Sequence, residues 1–419
     1  MPEPSVSVAP PAIDEQRSRR WLVALVTLAI VARIVVRLAG GEEAYLRDGY
    51  TLYLGLADNL LQGHGLCYAP GQWCAIRMPL YPLFVAAFKW AGLAYPGVAM
   101  AQAVMGGATV WATWWIGRAL FSSTVATLAA AAAAVNPYSV VHDTALQDTV
   151  LVNLLTIAAA ALLIKAARTP GRVPWLAGGM ALALAILTSA RVALFVPCAL
   201  GWMLVTSRGQ WRHRLRLVVL VALPVTLLSS VWLARNVAAV GAPVFTSEAG
   251  ASLFKGNSSL TFTHFPDESI DLVADEFATL PLDVQQRLDA LDGQELATDR
   301  AMGDLALAYI AADPGRAVRG ALRKLWVVAS AQLSPAREPL VQWGYRLFFL
   351  PVHLLALAGA WRPRGGWRDH ALLLVLVLSF AATTAVYWAH TSHKSLVDPV
   401  LFVYAAAGGL ALTRGLRKP

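Results

Sequence analysis

Charge is scarce in this chain. Of its 419 residues only 14% are Asp, Glu, Lys or Arg, whereas 57% are hydrophobic. Soluble domains carry about 25% charged residues, so a water-facing globular fold is excluded and the chain reads as a polytopic membrane protein. Cysteine is scarce too, with three residues that constrain little overall. No internal repeat is visible, and there is no soluble basic face. The net charge of +9 comes from cations between apolar runs, which argues against a nucleic-acid partner.

Apolar windows of about 20 residues fall at 21–38, 98–120, 124–135, 145–166, 173–187, 192–205, 215–233, 340–360, 370–388 and 396–412. They predict an all-α membrane protein with about ten transmembrane helices. The apolar stretch 80–93 is short for a span and reads as re-entrant or interfacial. Cations cluster in alternate connections: Arg17, Arg19 and Arg20; Lys165, Arg168 and Arg172; Arg208, Arg212, Arg214 and Arg216; Arg362, Arg364 and Arg368; Arg414, Arg417 and Lys418. By the positive-inside rule these connections and both termini are cytoplasmic. A signal-peptide reading of the first window, with small residues at Leu38-Ala39-Gly40, would remove the helix that puts those loops inside.

Four regions follow. Residues 1–18 read as a disordered cytoplasmic tail, and 19–239 as an N-terminal transmembrane module with an outer loop at 40–82. Residues 240–339 read as an outer lid, with Leu280, Leu282, Leu288, Leu291 and Leu296 marking small helices. Residues 340–419 supply the C-terminal transmembrane helices. Within the lid, Arg316, Arg319, Arg323 and Lys324 follow Asp313-Pro314 on a helix that can meet lipid head groups.

The first outer loop carries Glu42, Glu43, Asp48 and Asp58. Leu52, Leu56, Leu60 and Leu61 recur at helical spacing, which sets Asp48 at or just before the start of an amphipathic helix. The loop then passes Gly63-His64-Gly65, Cys67 and Cys74, and re-enters apolar sequence through Arg77-Met78-Pro79-Leu80-Tyr81-Pro82. Cys67 and Cys74 are expected to pair in an oxidising compartment, while Cys198 lies in an apolar run and reads as core.

An Asp after the first membrane helix, a following Tyr (Tyr53, or Tyr50), a G-x-G and an R-x-P-x-Y-P entry resemble the GT-C membrane glycosyltransferases. Among these the pattern is most similar to the bacterial protein-mannosyltransferase-like and aminoarabinose-transferase-like enzymes (family 39-like). The resemblance implies a GT-C fold in the bacterial inner membrane, with an active site on the periplasmic face. It further implies transfer of a sugar from a polyprenyl-phosphate donor to a lipid, glycan or protein acceptor.

The resemblance also suggests roles. Asp48 stands at the acidic position expected of the base, with Glu42 and Glu43 as alternatives and an N-cap as the structural reading. Asp148, after Asn136-Pro137, matches the acidic residue that opens the fourth helix. With Asp48 and His142 it is also a candidate ligand for a divalent metal such as Mg, Mn or Ca, and Asp143 lies close by. Arg77, Arg191, Arg235 in Trp232-Leu233-Ala234-Arg235-Asn236, and His393 with Lys394 are candidates for the donor phosphate. Arg33 and Arg37 either add to that site or snorkel. Tyr53, Tyr81, Asn236 and Asn257 complete the expected substrate contacts. For each cation the structural alternative is snorkelling to head groups.

Two other classes fit the same composition. A transporter or flippase of lipid-linked sugars would place polar residues near helix midpoints and break helices in pairs, whereas here they gather at helix ends. A polymerase or ligase of lipid-linked sugars would share the outer arginines.

Overall fold

The computed structural model describes residues 14–207, 209–361 and 367–415. Most of the expected tail over 1–18 lies outside them. So do Arg208, Arg362, Arg364, Arg417 and Lys418 among the orienting cations. At its start, Asp14 accepts from the Arg17 amide at 2.6 Å and helix α1 runs Glu15–Arg47, so the last residues assigned to the tail are already helical.

The ten apolar windows all fall on helices: α1, α4 (Ala94–Leu120), α5 (Ser123–Ala134), α7 (Thr149–Arg168), α8 (Val173–Thr188), α9 (Phe195–Thr206), α10 (Trp211–Val240), α16 (Pro339–Ala360), α17 (Trp367–Val386) and α19 (Asp398–Gly415). Among the described residues five of these, α1, α7, α10, α16 and α17, are long and apolar enough to cross a membrane by length and composition. Several others are shorter. α5 is 12 residues of mostly Ala whose backbone is buried by neighbouring helices, and a helix wrapped in protein need not span lipid alone. Between them lie the short helices α2 (Leu52–Leu61), α3 (Leu80–Trp90), α6 (Pro137–His142) and α18 (Thr391–Lys394). α3 packs on α2 and α4.

Small residues let the long helices approach closely. A Cβ added at Gly359 of α16 would lie 2.0 Å from the Tyr404 carbonyl oxygen, and one at Gly408 of α19 would lie 2.0 Å from that of Leu355. Without water to drive association, such backbone contact supplies the packing. A polar layer crosses this apolar interior. Arg33 pairs with Asp143 at 2.8 Å and Lys394 with Asp398 at 2.8 Å, every one of these side chains at most 4% exposed. Asn136 donates to Asp398 at 3.1 Å and Asn153 to Ser395 at 2.8 Å. Charges this deep need partners, and here each has one.

The stretch between α10 and α16 folds as α11 (Ala249–Gly256), α12 (Thr261–His264), α13 (Leu282–Asp289), α14 (Glu295–Ala312) and α15 (Pro314–Ala329), with a 3₁₀ turn at Ile270–Thr279. It has its own core of Phe254, Phe265, Ile270, Val273, Leu280, Leu288 and Val327. Leu282, by contrast, is 67% exposed. α11 meets α14 through Gly250, where an added Cβ would lie 1.9 Å from the Asp299 carbonyl oxygen. Lys324 of α15 is fully buried, and its amine is pushed down to about 8 by that burial. It donates to the carbonyls of Gly256, Val386 and Tyr387 at 3.1, 3.3 and 2.8 Å, which seals the end of α17.

Candidate active site

At the end of the bundle where α7 begins and α8 and α17 finish, a cavity of about 270 Å³ opens. The opposite end carries Arg168, paired with Asp369 at 2.7 Å, and Arg118, paired with Glu15 at 2.6 Å. The two ends therefore differ in what their ionic groups do: one is a rim of paired surface charges, the other a recess.

Three cations enter the recess and each meets a carboxylate. Arg191 follows α8 in a tight 3₁₀ turn, where its Nε donates to Ser189 Oγ at 2.8 Å and its Nη2 to Asp148 Oδ1 at 2.8 Å. Asp148 occupies the N-cap position of α7, but its side chain accepts no bond from that helix's own amides. Its carboxylate is thus spent on Arg191 and the cavity, not on capping. Arg77 pairs with Glu248 at the start of α11. Lys255, at the end of α11, reaches Asp271 at 2.6 Å. Burial works against the charged form of Asp271, but Lys255 and Arg77 outweigh it and hold the carboxyl below its usual range. The cavity is therefore balanced, three cations against three carboxylates, and Phe380, Tyr387, Trp388 and Leu396 also line it.

Arg77 is held in place by the loop before it. Cys67 and Cys74 are joined by a disulfide. Arg235 donates to the carbonyls of Cys74 at 2.5 Å and Leu66 at 2.9 Å. Glu295 accepts from the amides of Cys74 and Ala75 at 2.7 and 2.8 Å. The carbonyls of Ala75 and Ile76 then accept from the Ser247 amide at 2.9 Å and the Thr246 hydroxyl at 3.1 Å. Three chain segments, at Arg235, at Thr246 with Ser247, and at Glu295, thus fix the turn that delivers Arg77.

Of the residues proposed from the sequence, Tyr53, Arg77, Asp148, Arg191 and His393 line this cavity. The others sit elsewhere. Asp48 is not at a helix start: it closes α1, and α2 begins only at Leu52. A helix C-terminus disfavours a carboxylate, and its side chain lies 3.5 Å from Arg47. Asp48 is not among the lining residues; its carbonyl accepts from the side-chain Nε2 of Gln147, which is one of them. Lys394 points into the bundle, pairing with Asp398 with its amine 3.1 Å from the Phe349 ring centroid. Arg235 and Asn236 belong to the loop clamp and its neighbour, Asn236 being fully buried and donating to the Val244 carbonyl at 2.7 Å. Asn257 donates to the carbonyls of Leu253 and Val386 at 3.0 and 2.6 Å. Tyr81 is fully buried against Tyr53, ring centroids 4.7 Å apart. Arg33 and Arg37 are buried among Asp143 and Thr144, not snorkelling.

His393 lines the cavity as a neutral group. Burial, reinforced by Arg191 and His390, pushes its imidazole well below the usual range. It can accept or donate a hydrogen bond there but brings no charge to an anion.

Glu248, Lys255 and Asp271 were not singled out from the sequence. The only signal was their place: Lys255 precedes Gly256-Asn257, and Asp271 lies in the acidic part, 267–304, of the 240–339 stretch. Nothing in spacing brings those two segments to Arg77.

The metal expectation on Asp48, Asp148 and His142 does not fit the geometry. Among the described residues no three His, Cys, Asp or Glu side chains form a group able to hold a metal ion. Asp148 is taken by Arg191, and His142 stacks on Tyr138 with centroids 4.5 Å apart.

Residues 79–233, less than half of the chain, match the model of the family described as dolichyl-phosphate-mannose-protein mannosyltransferase. No curated protein sequence matches the chain. Among solved structures, the Archaeoglobus fulgidus oligosaccharyltransferase AglB in complex with an inhibitory peptide and a dolichol-phosphate is similar with a TM-score of 0.54 at 12% identity, over 95% of this chain and 52% of that one. The apo form of the A. fulgidus oligosaccharyltransferase gives 0.56 at 13% identity, over 95% and 52%. ArnT from Cupriavidus metallidurans bound to undecaprenyl phosphate gives 0.41 at 16% identity, over 95% and 78%. The chain spans about half the length of the oligosaccharyltransferase it matches. The likeness to that enzyme is one of fold: the chain has the GT-C architecture.

Proposed function

We propose that this chain of GT-C fold is a membrane glycosyltransferase that moves a sugar from a polyprenyl-phosphate donor to a hydroxyl of a lipid, glycan or protein acceptor. The transfer would take place at the extracytoplasmic face of the bacterial inner membrane, with both termini cytoplasmic. The observation that carries this reading is the convergence of Arg77, Arg191 and Lys255 on one cavity beside Asp148, with aromatic side chains from α17 and the residues just after it. Asp148 and Arg191 both lie within the segment that matches the mannosyltransferase family model. The dolichol-phosphate in the AglB complex is the class of donor carrier that such cations suit.

In this reading the acceptor oxygen forms a bond to the anomeric carbon as the carbon–phosphate-oxygen bond breaks. The hydroxyl proton passes to the Asp148 carboxylate. The leaving phosphate gains a second negative charge, and that gain is what Arg77, Arg191 and Lys255 stabilise by charge-assisted hydrogen bonds. To bind the donor, these cations exchange their present carboxylates for phosphate oxygens. Phe380, Tyr387 and Trp388 offer an apolar face to the start of the polyprenyl chain.

The test is to incubate membranes that contain the protein, and with it their own lipid, glycan and protein acceptors, with a panel of labelled polyprenyl-phosphate sugars and follow release of polyprenyl phosphate. Release with at least one donor, lost in Arg191→Ala, is the expected outcome. A flippase would instead move the intact donor between leaflets with no release.

A further inference from the structure

Among the described residues α15 presents an exposed face at the level where the bundle ends. Its inner edge is set by Lys324, bonded to the carbonyls of Val386 and Tyr387. Val386 is the last residue of α17, one of the helices long and apolar enough to cross a membrane. The middle of α15 is therefore level with the end of a span.

Two residues along an α-helix turn by about 200°, so Leu322 and Trp326 point away from the side that Lys324 occupies. With Val318 they form an i, i+4, i+8 stripe that is 60%, 61% and 68% exposed for Val318, Leu322 and Trp326. Along one side of that stripe run Arg316, Arg319 and Arg323, all exposed. Each guanidinium keeps one contact with the protein while the side chain stays exposed: Arg316 donates to the Tyr309 carbonyl at 3.1 Å, Arg319 lies 3.7 Å from Asp313, and Arg323 stacks 4.3 Å over the Phe262 ring. Three large apolar side chains in a row beside three arginines suit the boundary between head groups and acyl chains, where both rows find partners.

We propose that α15 is an interfacial helix whose Val318, Leu322 and Trp326 enter the adjacent leaflet while Arg316, Arg319 and Arg323 bind anionic phospholipid head groups. The contact anchors the 240–339 stretch, and so the Glu248, Lys255 and Asp271 wall of the cavity, to the membrane surface. The proposal requires that α17 crosses the bilayer and is independent of the transfer chemistry.

The experiment uses the full chain in nanodiscs with Cys198→Ser and a fluorophore on Leu322→Cys, or on Asp289→Cys as an exposed control. Spin-labelled lipid should quench the label at 322 and leave that at 289 bright. Quenching should be greater in phosphatidylglycerol than in phosphatidylcholine discs, fall with added salt, and lose its lipid preference when Arg316, Arg319 and Arg323 are all replaced by Gln. A label at 322 that acrylamide reaches as readily as the one at 289 would show a solvated face and overturn the proposal. Shielding from both acrylamide and lipid would assign the face to a protein partner instead. Equal quenching in the two lipids would remove the anionic head group.

Discussion

At the residue scale the decisive pair is Asp148 and Asp48. Both follow an apolar run, and both have a helix cap as their structural alternative, so the sequence alone ranks them by resemblance and favours Asp48. The structure separates them by what their oxygens touch. Asp148 faces the cavity and Arg191, whereas Asp48 ends α1 and meets the lining residue Gln147 through its main-chain carbonyl. If Asp148 accepts the acceptor proton, Asp148→Asn lowers turnover by roughly 10²–10⁴-fold with donor binding largely kept. Asp48→Asn leaves turnover within about tenfold, since the carbonyl is unchanged. Steady-state rates of polyprenyl-phosphate release from both variants check this, and the reverse pattern would return the role of base to Asp48. Lys394 illustrates the same point: in sequence it is a cation near an outer loop, but its partner Asp398 lies one helical turn further on, and the pair closes on itself inside the bundle.

At the scale of elements, the disulfide loop is the part on which the site most depends. Its two cysteines are visible in sequence, but the residues that orient it come from far along the chain, Arg235 at the end of α10 and Glu295 at the start of α14. Arg235 satisfies the carbonyls of Leu66 and Cys74, so Arg235→Ala leaves both without those donors and is expected to cost about 2 kcal/mol. Because this loop delivers Arg77, the variant should also raise the KM for donor more than it lowers kcat. Thermal unfolding in detergent and a donor titration measure the two effects. A variant with normal stability and normal KM would reduce Arg235 to a surface contact. The short helices follow the same logic: α2 reads as amphipathic and α3 as a short apolar segment in sequence, yet it is the fold that sets them against each other through the Tyr53 and Tyr81 rings.

At the scale of the whole molecule, the orientation reading makes one expected outcome plain. Asp304→Cys, on the cavity side and 69% exposed in its side chain, should react with an impermeant thiol reagent in intact cells. Arg212→Cys, exposed at the start of α10, should react only after the membrane is opened, and labelling in the reverse order would invert the topology. The apolar windows were legible without coordinates because lipid imposes one rule on every span: its backbone must bond within itself, so a run of apolar residues has to be helical. The positions of Arg77, Asp148 and Arg191 were legible for a related reason, since charges are tolerated mainly where helices end. What the tertiary structure alone decided is which helix-end charges meet. Glu248, Lys255 and Asp271 join the cavity because the 240–339 stretch folds on its own core and is pinned to α17 through Lys324. Asp48, Arg235 and Lys394 leave it because nearer partners satisfy them. Pairing of charges in the cavity is a matter of distances of a few ångströms between separate segments, such as those of Arg77 and Glu248 or Asp148 and Arg191, and no local pattern in a sequence encodes that.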